Sequence, residues 1–143
     1  ILYVVFMIEN FNSVFLLIIH CLLVLLSGIY SIRSLFFPMT MVKEFNLGNN
    51  SIYIVRILGA FVSTFFLVGL YLIFRDVGPE GAWTYYSMFF VVGFVMFIYD
   101  LGFYFKLFDK NLDSKNSVVD ISINVFTIVA SAILISGLAD KIY

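Results

Sequence analysis

Four ionisable side chains stand inside long apolar stretches of this sequence: His20, Arg56, Asp100 and Asp120. Ionisable groups are costly within a bilayer. Where they occur they face a bundle interior or a wet cavity, pair with one another, or mark the path of a substrate or proton. An arginine and two carboxylates can form an ionic site, so these four are the candidate binding residues. Arg56 and Asp100 are expected to form an ion pair, with Asp120 as a second partner. The pair reads either as a site on a substrate path or, more plainly, as a structural pin between two helices. His20 is the only histidine. It has the chemistry to ligate a haem-like or chlorophyll-like pigment or to relay protons, and the competing reading is a neutral imidazole hydrogen-bonded to a neighbouring helix. Asp120 also fits Ser117-x-x-Asp120, the spacing of a helix capping box with Asp in place of the usual Glu or Gln.

The same residues exclude several chemistries. Cys21 is the only cysteine, so neither an intramolecular disulfide nor C-x-x-C dithiol chemistry is available. It follows His20 directly, about 100° around a helix, so a thiolate–imidazole pair is not expected and Cys21 reads as a buried, inert thiol. One histidine cannot supply bis-histidine haem ligation or a multi-histidine metal centre. No lysine lies inside an apolar stretch to form a retinal Schiff base, and H-E-x-x-H, G-x-S-x-G and phosphate-cradling glycine loops are absent from the sequence. No catalytic residue, metal or cofactor is therefore assigned, and bound lipid is expected.

The elements that must position these side chains follow from composition. Of 143 residues, enough for one domain, 63% are apolar and 12% charged, and the mean hydropathy is +1.09. Soluble domains carry about 25% charged residues. The balance excludes a disordered chain, a soluble globule and, at a net charge of -1, a nucleic-acid binder. A hydrocarbon core of about 30 Å needs about 20 apolar residues in a helix. Four stretches qualify: residues 13–32, 51–74, 83–105 and 117–138. The expected fold is an all-α transmembrane four-helix bundle, up-and-down, forming a single integral membrane domain over residues 1–143. The chain opens at Ile1 rather than Met, so it is expected to be processed or a piece of a longer one.

Pro38 stops the first helix or opens a short interfacial one, and Asn46-Leu47-Gly48-Asn49-Asn50 supplies a glycine stop and an N-cap for the second. Residues 75–81 read as a tight polar turn and residues 106–116 as a mixed-charge loop. The first and third loops hold Arg33, Lys43, Lys106, Lys110 and Lys115, whereas the other side holds Arg75 and Lys141. The excess of positive charge places those two loops in the cytoplasm and the visible termini outside, with Trp83, Tyr85 and Tyr86 as an aromatic anchor at the outer interface. At about 1.5 Å of rise per residue, Arg56, Asp100 and Asp120 all fall within roughly 5–9 Å of the cytoplasmic boundary.

Helical faces group further residues. Arg56, Gly59, Ala60 and Ser63 share a side of small residues that suits close helix approach. Asp120, Asn124, Thr127 and Ser131 recur at one-face spacing, as do Ser13, His20, Ser27, Ser31 and Ser34. Gly93, Met96, Asp100 and Tyr104 share a side of the third helix.

A first span, then Leu35-Phe36-Phe37-Pro38, a short cytoplasmic piece, and Arg56-Ile57-Leu58-Gly59-Ala60 opening the second span resembles the DoxX-like group of small four-span membrane proteins. The resemblance covers most of the chain and rests on Pro38 and the Arg-x-x-Gly-Ala core. It implies a four-helix bundle associated with a larger redox or transport system, and no catalytic residue carries over.

The functional expectation is a non-catalytic accessory or structural subunit of a larger membrane complex, packing against other transmembrane helices and lipid. The alternative is a small oligomeric transporter or ligand-binding protein with Arg56, Asp100 and His20 along its path. A membrane enzyme or pigment carrier using His20 has the least support. The partners expected are membrane lipids and either other membrane subunits or further copies of the chain, with no nucleic acid.

Overall fold

The computed structural model describes residues 2–143, with side chains from Val5 onward. Ile1, whose status as a processed start the sequence raised, lies outside the described residues. The chain is all-α, and no strand occurs among the described residues. The helices are α1 (Leu2–Asn10), α2 (Val14–Phe36), α3 (Pro38–Glu44), α4 (Ile52–Phe74), α5 (Trp83–Tyr104), α6 (Val118–Gly137) and α7 (Ala139–Ile142). Four of these, α2, α4, α5 and α6, are long and apolar enough to cross a bilayer. The protein is an integral, multi-pass membrane protein.

Local chemistry sets the boundaries. Ser13 caps α2, with extended backbone and a hydroxyl that accepts from Leu16 N at 3.2 Å. The first span runs to Phe36, four residues past the expected end at Ile32. Arg33 does not stop it, because its guanidinium leaves the apolar region to pair with Glu44. Pro38 does, since the residue before proline is pushed out of helical geometry. The same Pro38 then opens α3 from its first turn, where its missing N–H costs nothing. A single 3-10 turn, Asn49–Ser51, leads into α4. The turn after α4 is closed by Arg75, which donates to the carbonyls of Gly78 and Glu80. Gly78 and Gly81 there adopt φ of +55° and +69°, where a side chain would strain the backbone. At the start of α6, Ser117 and Asp120 form a complete capping box.

The long helices alternate in direction. Asn10 Nδ2 donates to Asp76 O (2.9 Å), and Asn12 Nδ2 to Gly137 O (3.2 Å) and Asp140 Oδ1 (2.7 Å). These bonds gather the start of α2, the turn between α4 and α5, and the end of α6. At the opposite end Lys115 N donates to Phe45 O (3.0 Å) and Asn46 Nδ2 to Asp113 O (2.9 Å), joining the loop after α5 to the loop before α4.

In space the helices run α4, α2, α6, α5: α2 packs along α4, α5 along α6, and α2 meets α6 between the pairs. The α2–α4 contact is close because Gly59 has no side chain. A Cβ there would lie 2.6 Å from Ser34 Cβ. Ser63 on the same face shares a 2.6 Å hydrogen bond with Ser31 of α2. Arg56 and Ala60, expected on this side, instead face outward. On α6, Thr127 and Ser131 are buried toward the bundle. Each returns its hydroxyl to a carbonyl of its own helix, and among the described residues no buried polar side chain is left unpaired.

Candidate functional site

The two ends of the bundle differ. At the end holding the α4–α5 turn, side chains from four elements close the interior around His20, which is 0% exposed. His20 projects from α2 with its Nε2 3.1 Å from Gly69 O of α4 and its Nδ1 3.0 Å from Tyr86 Oη of α5. A carbonyl only accepts, so Nε2 carries the proton and Nδ1 accepts from the Tyr86 hydroxyl. Both ring nitrogens are therefore engaged in hydrogen bonds to neighbouring helices. The Phe11 ring packs on the imidazole at 4.8 Å between centroids. Tyr85 donates to Phe65 O at 2.9 Å, and the Phe65 ring packs tilted against Phe89, 4.7 Å between centroids. Tyr86, expected in an outer aromatic anchor, is instead fully buried. Cys21, expected to be buried, faces outward because it lies a third of a turn from the buried His20.

At the other end α4 and α5 part, leaving a cleft of about 580 Å³. Leu58 and Val55 of α4 line one wall, Met96 and Asp100 of α5 the other, and Ile123 and Asn124 of α6 lie between. Arg33 and Glu44 form an ion pair at its rim. Asn124 Nδ2 donates to Asp100 Oδ2 at 2.7 Å, and Asn116 Nδ2 to the Asp100 carbonyl at 2.8 Å. Asp120 also borders the cleft, with its Oδ2 accepting from Ser117 N (2.7 Å) and Ser117 Oγ (2.9 Å) in the capping box. The cleft thus combines apolar side chains with charged and amide groups, among them Asp100, Asp120 and Asn124, a mix that suits a small-molecule site.

The four candidate residues are not one site. His20 sits in the closed end, while Asp100 and Asp120 share the open one. Arg56 is exposed on α4 and does not line the cleft, although its neighbour Val55 does. The expected Arg56–Asp100 ion pair is not formed: among the described residues the ion pair is Arg33–Glu44. Depth along the membrane matches for Arg56 and Asp100, but their helices diverge at this level and Arg56 is rotated outward. Asp100 takes the Asn124 amide in its place. The spacing of Asn124 put it on a polar stripe without naming its partner. Arg33–Glu44 had no periodic signal, because the break at Pro38 lies between them. Among the described residues no three His, Cys, Asp or Glu side chains converge as a metal site would need.

Fold and cleft together define a multi-pass membrane protein closed at one end of its bundle and open at the other. Comparison with family models, curated proteins and solved structures returned no match.

Proposed function

We propose that this chain is a non-catalytic membrane protein that binds a small amphiphilic ligand, a form of the second of the three functional readings of the sequence, that of a small transporter or ligand-binding protein. The observation that carries it is the asymmetry of the bundle. The Phe11–His20–Tyr86 group closes one end, while α4 and α5 part at the other around a cleft of about 580 Å³ with apolar walls and the Asp100 carboxylate. A cleft between helices at membrane depth admits a molecule whose apolar body replaces lipid and whose polar head meets the polar groups near the mouth. By the distribution of Lys and Arg, the mouth faces the cytoplasm. Labelling of a Ser114→Cys variant from that side alone would support this orientation.

The test is native mass spectrometry of protein released gently from its membrane, repeated on Leu58→Trp and Met96→Trp, which fill the cleft. A bound small molecule present in the parent and absent from both folded variants is the expected result. A bound mass unaffected by filling the cleft counts against the reading.

A second reading, the accessory subunit of a larger complex, draws on Arg56. It is exposed on a membrane-spanning helix and has no ion-pair partner among the described residues. A carboxylate on another subunit or a lipid phosphate would satisfy it. Other chains copurifying at fixed ratio, lost on Arg56→Leu, would favour this reading. The resemblance to DoxX-like proteins, carried by the residues around Pro38 and the Arg56-x-x-Gly59-Ala60 stretch, belongs with this second reading.

A further inference from the structure

We infer that the ligand of the cleft is a lipophilic organic cation, whose charge meets Asp100 and whose apolar body lies against Leu58, Met96 and Ile123. The inference deepens the binding reading and rests on it. It comes from an account of the charges around the cleft. Arg33 and Glu44 neutralise each other in their ion pair. The Asp120 carboxylate is engaged by the backbone and hydroxyl of Ser117. Lys115 stands at the rim, in the loop that is tied to Phe45 through its backbone, and makes no ion pair among the described residues. Asp100 differs from all of these. Its side-chain partner is the neutral Asn124 amide, on Oδ2. Among the described residues no cation stands within ion-pair distance of it.

Asp100 is also set apart by its position. It lies four residues before the end of α5, about 6 Å inside the helix end, beside Met96 and Phe103 of the same helix and the neutral amides of Asn116 and Asn124. The carboxylate is half-buried and borders the open space of the cleft rather than being sealed off. A carboxylate in a wall of low polarity interacts with a nearby cation more strongly than it would in water. An anion of the same shape would meet repulsion there, so the site discriminates by sign. The apolar side chains of Leu58, Met96 and Ile123 favour a charge carried on a hydrophobic body.

The experiment uses the full chain in phosphatidylcholine nanodiscs and two probes of matched shape and opposite charge, tetraphenylphosphonium and tetraphenylborate. Saturable binding of the phosphonium, with no saturable binding of the borate, is expected. Asp100→Asn, which keeps a carbonyl oxygen for the Asn124 amide, should weaken the phosphonium by roughly tenfold or more. Asp100→Glu should retain the preference for the cation, and Glu80→Gln, at the opposite end, should bind as the parent does. If the borate binds as well as the phosphonium, or Asp100→Asn leaves affinity unchanged while Leu58→Trp abolishes it, the cation inference is overturned and the binding reading stands. If neither probe binds saturably and no bound molecule depends on the cleft in mass spectrometry, both fail. Competition by phosphatidylethanolamine placed in the disc would identify a lipid headgroup ammonium as the source of the cation. Its failure to compete would identify a free organic cation, and either result keeps the class.

Discussion

Tyr86 donates its hydroxyl to Nδ1 of His20 at 3.0 Å, and neither side chain has any exposed surface. This bond ties α5 to α2 where the backbones of these helices do not pack closely. Hydrogen bonds between membrane helices average only about 0.6 kcal/mol, with a maximum near 1.7. The His20–Tyr86 bond should lie in the upper half of that range, because both partners are sealed from water and lipid headgroups. Tyr86→Phe is expected to cost about 1 kcal/mol, and a His20→Leu/Tyr86→Phe cycle to give a coupling of about 0.9–1.7 kcal/mol. Unfolding equilibria in bicelles measure both, and zero coupling would sink the assignment. No visible absorbance is expected to depend on His20, since both its nitrogens are engaged.

The α2–α4 contact at Gly59 should tolerate no added carbon. A Cβ at Gly59 would meet Ser34 Cβ at 2.6 Å and Leu35 N at 3.2 Å. The first of these atoms is fixed to the backbone of α2 and the second is part of it, so the two helices must separate. Gly59→Ala is expected to destabilise by about 1–3 kcal/mol, the usual cost of overpacking, and Gly59→Leu to prevent the α2–α4 pairing. Gly48→Ala is the control. Nothing lies within 4 Å of a Cβ there and its backbone is not left-handed, so its melting temperature should match the parent's.

What could be read from the sequence, and what could not, divides along a physical line. The four spans could be read because length and apolarity are properties of one segment at a time. The capping box could be read because Ser117 and Asp120 lie within one helical turn. The buried stripe Ser27, Ser31 and Ser34 could be read from helical periodicity. Pairing between helices could not. Depth in the membrane follows from counting residues, and on that measure Arg56 and Asp100 match. Their rotation about the helix axes and the separation of α4 from α5 depend on how all four helices pack. Tyr86 reads as an interfacial anchor for the same reason: near a span end an aromatic suits the membrane interface, and only the position of α2 shows that it is buried against His20.

Asp120 borders the cleft, yet its bonds place it in the capping of α6. Its Oδ2 accepts from Ser117 N at 2.7 Å, and Ser117 Oγ accepts from Asp120 N at 3.4 Å. Ser117→Ala and Asp120→Ala should each cost about 1 kcal/mol, typical of losing an N-cap. The double variant should cost less than the sum, because the two side chains serve one reciprocal arrangement. Amide exchange in the first turn of α6 should accelerate in all three. A loss confined to one variant, or exchange unchanged in that turn, would show that Asp120 has another role.

Arg56 and Asp100 provide the sharpest contrast with the expectation from depth alone. A buried ion pair predicts that removing one partner costs more than removing both, because the single change strands a charge. The structure predicts otherwise. Arg56 is exposed on the outer face of α4 near a span end, where its long side chain reaches the headgroup region. Arg56→Leu should therefore change stability by no more than about 0.5 kcal/mol. Asp100→Leu removes the acceptor of the Asn124 amide and should cost about 1 kcal/mol. With no shared partner the effects should add within about 0.5 kcal/mol in the double variant. Unfolding measured in the same bicelles for the parent, both single variants and the double variant decides the matter. A coupling above about 1 kcal/mol would mean that α4 and α5 close on each other in the bilayer and bring Arg56 to Asp100. Simple additivity would mean that the cleft stays open and the Asp100 carboxylate remains without a cation of its own.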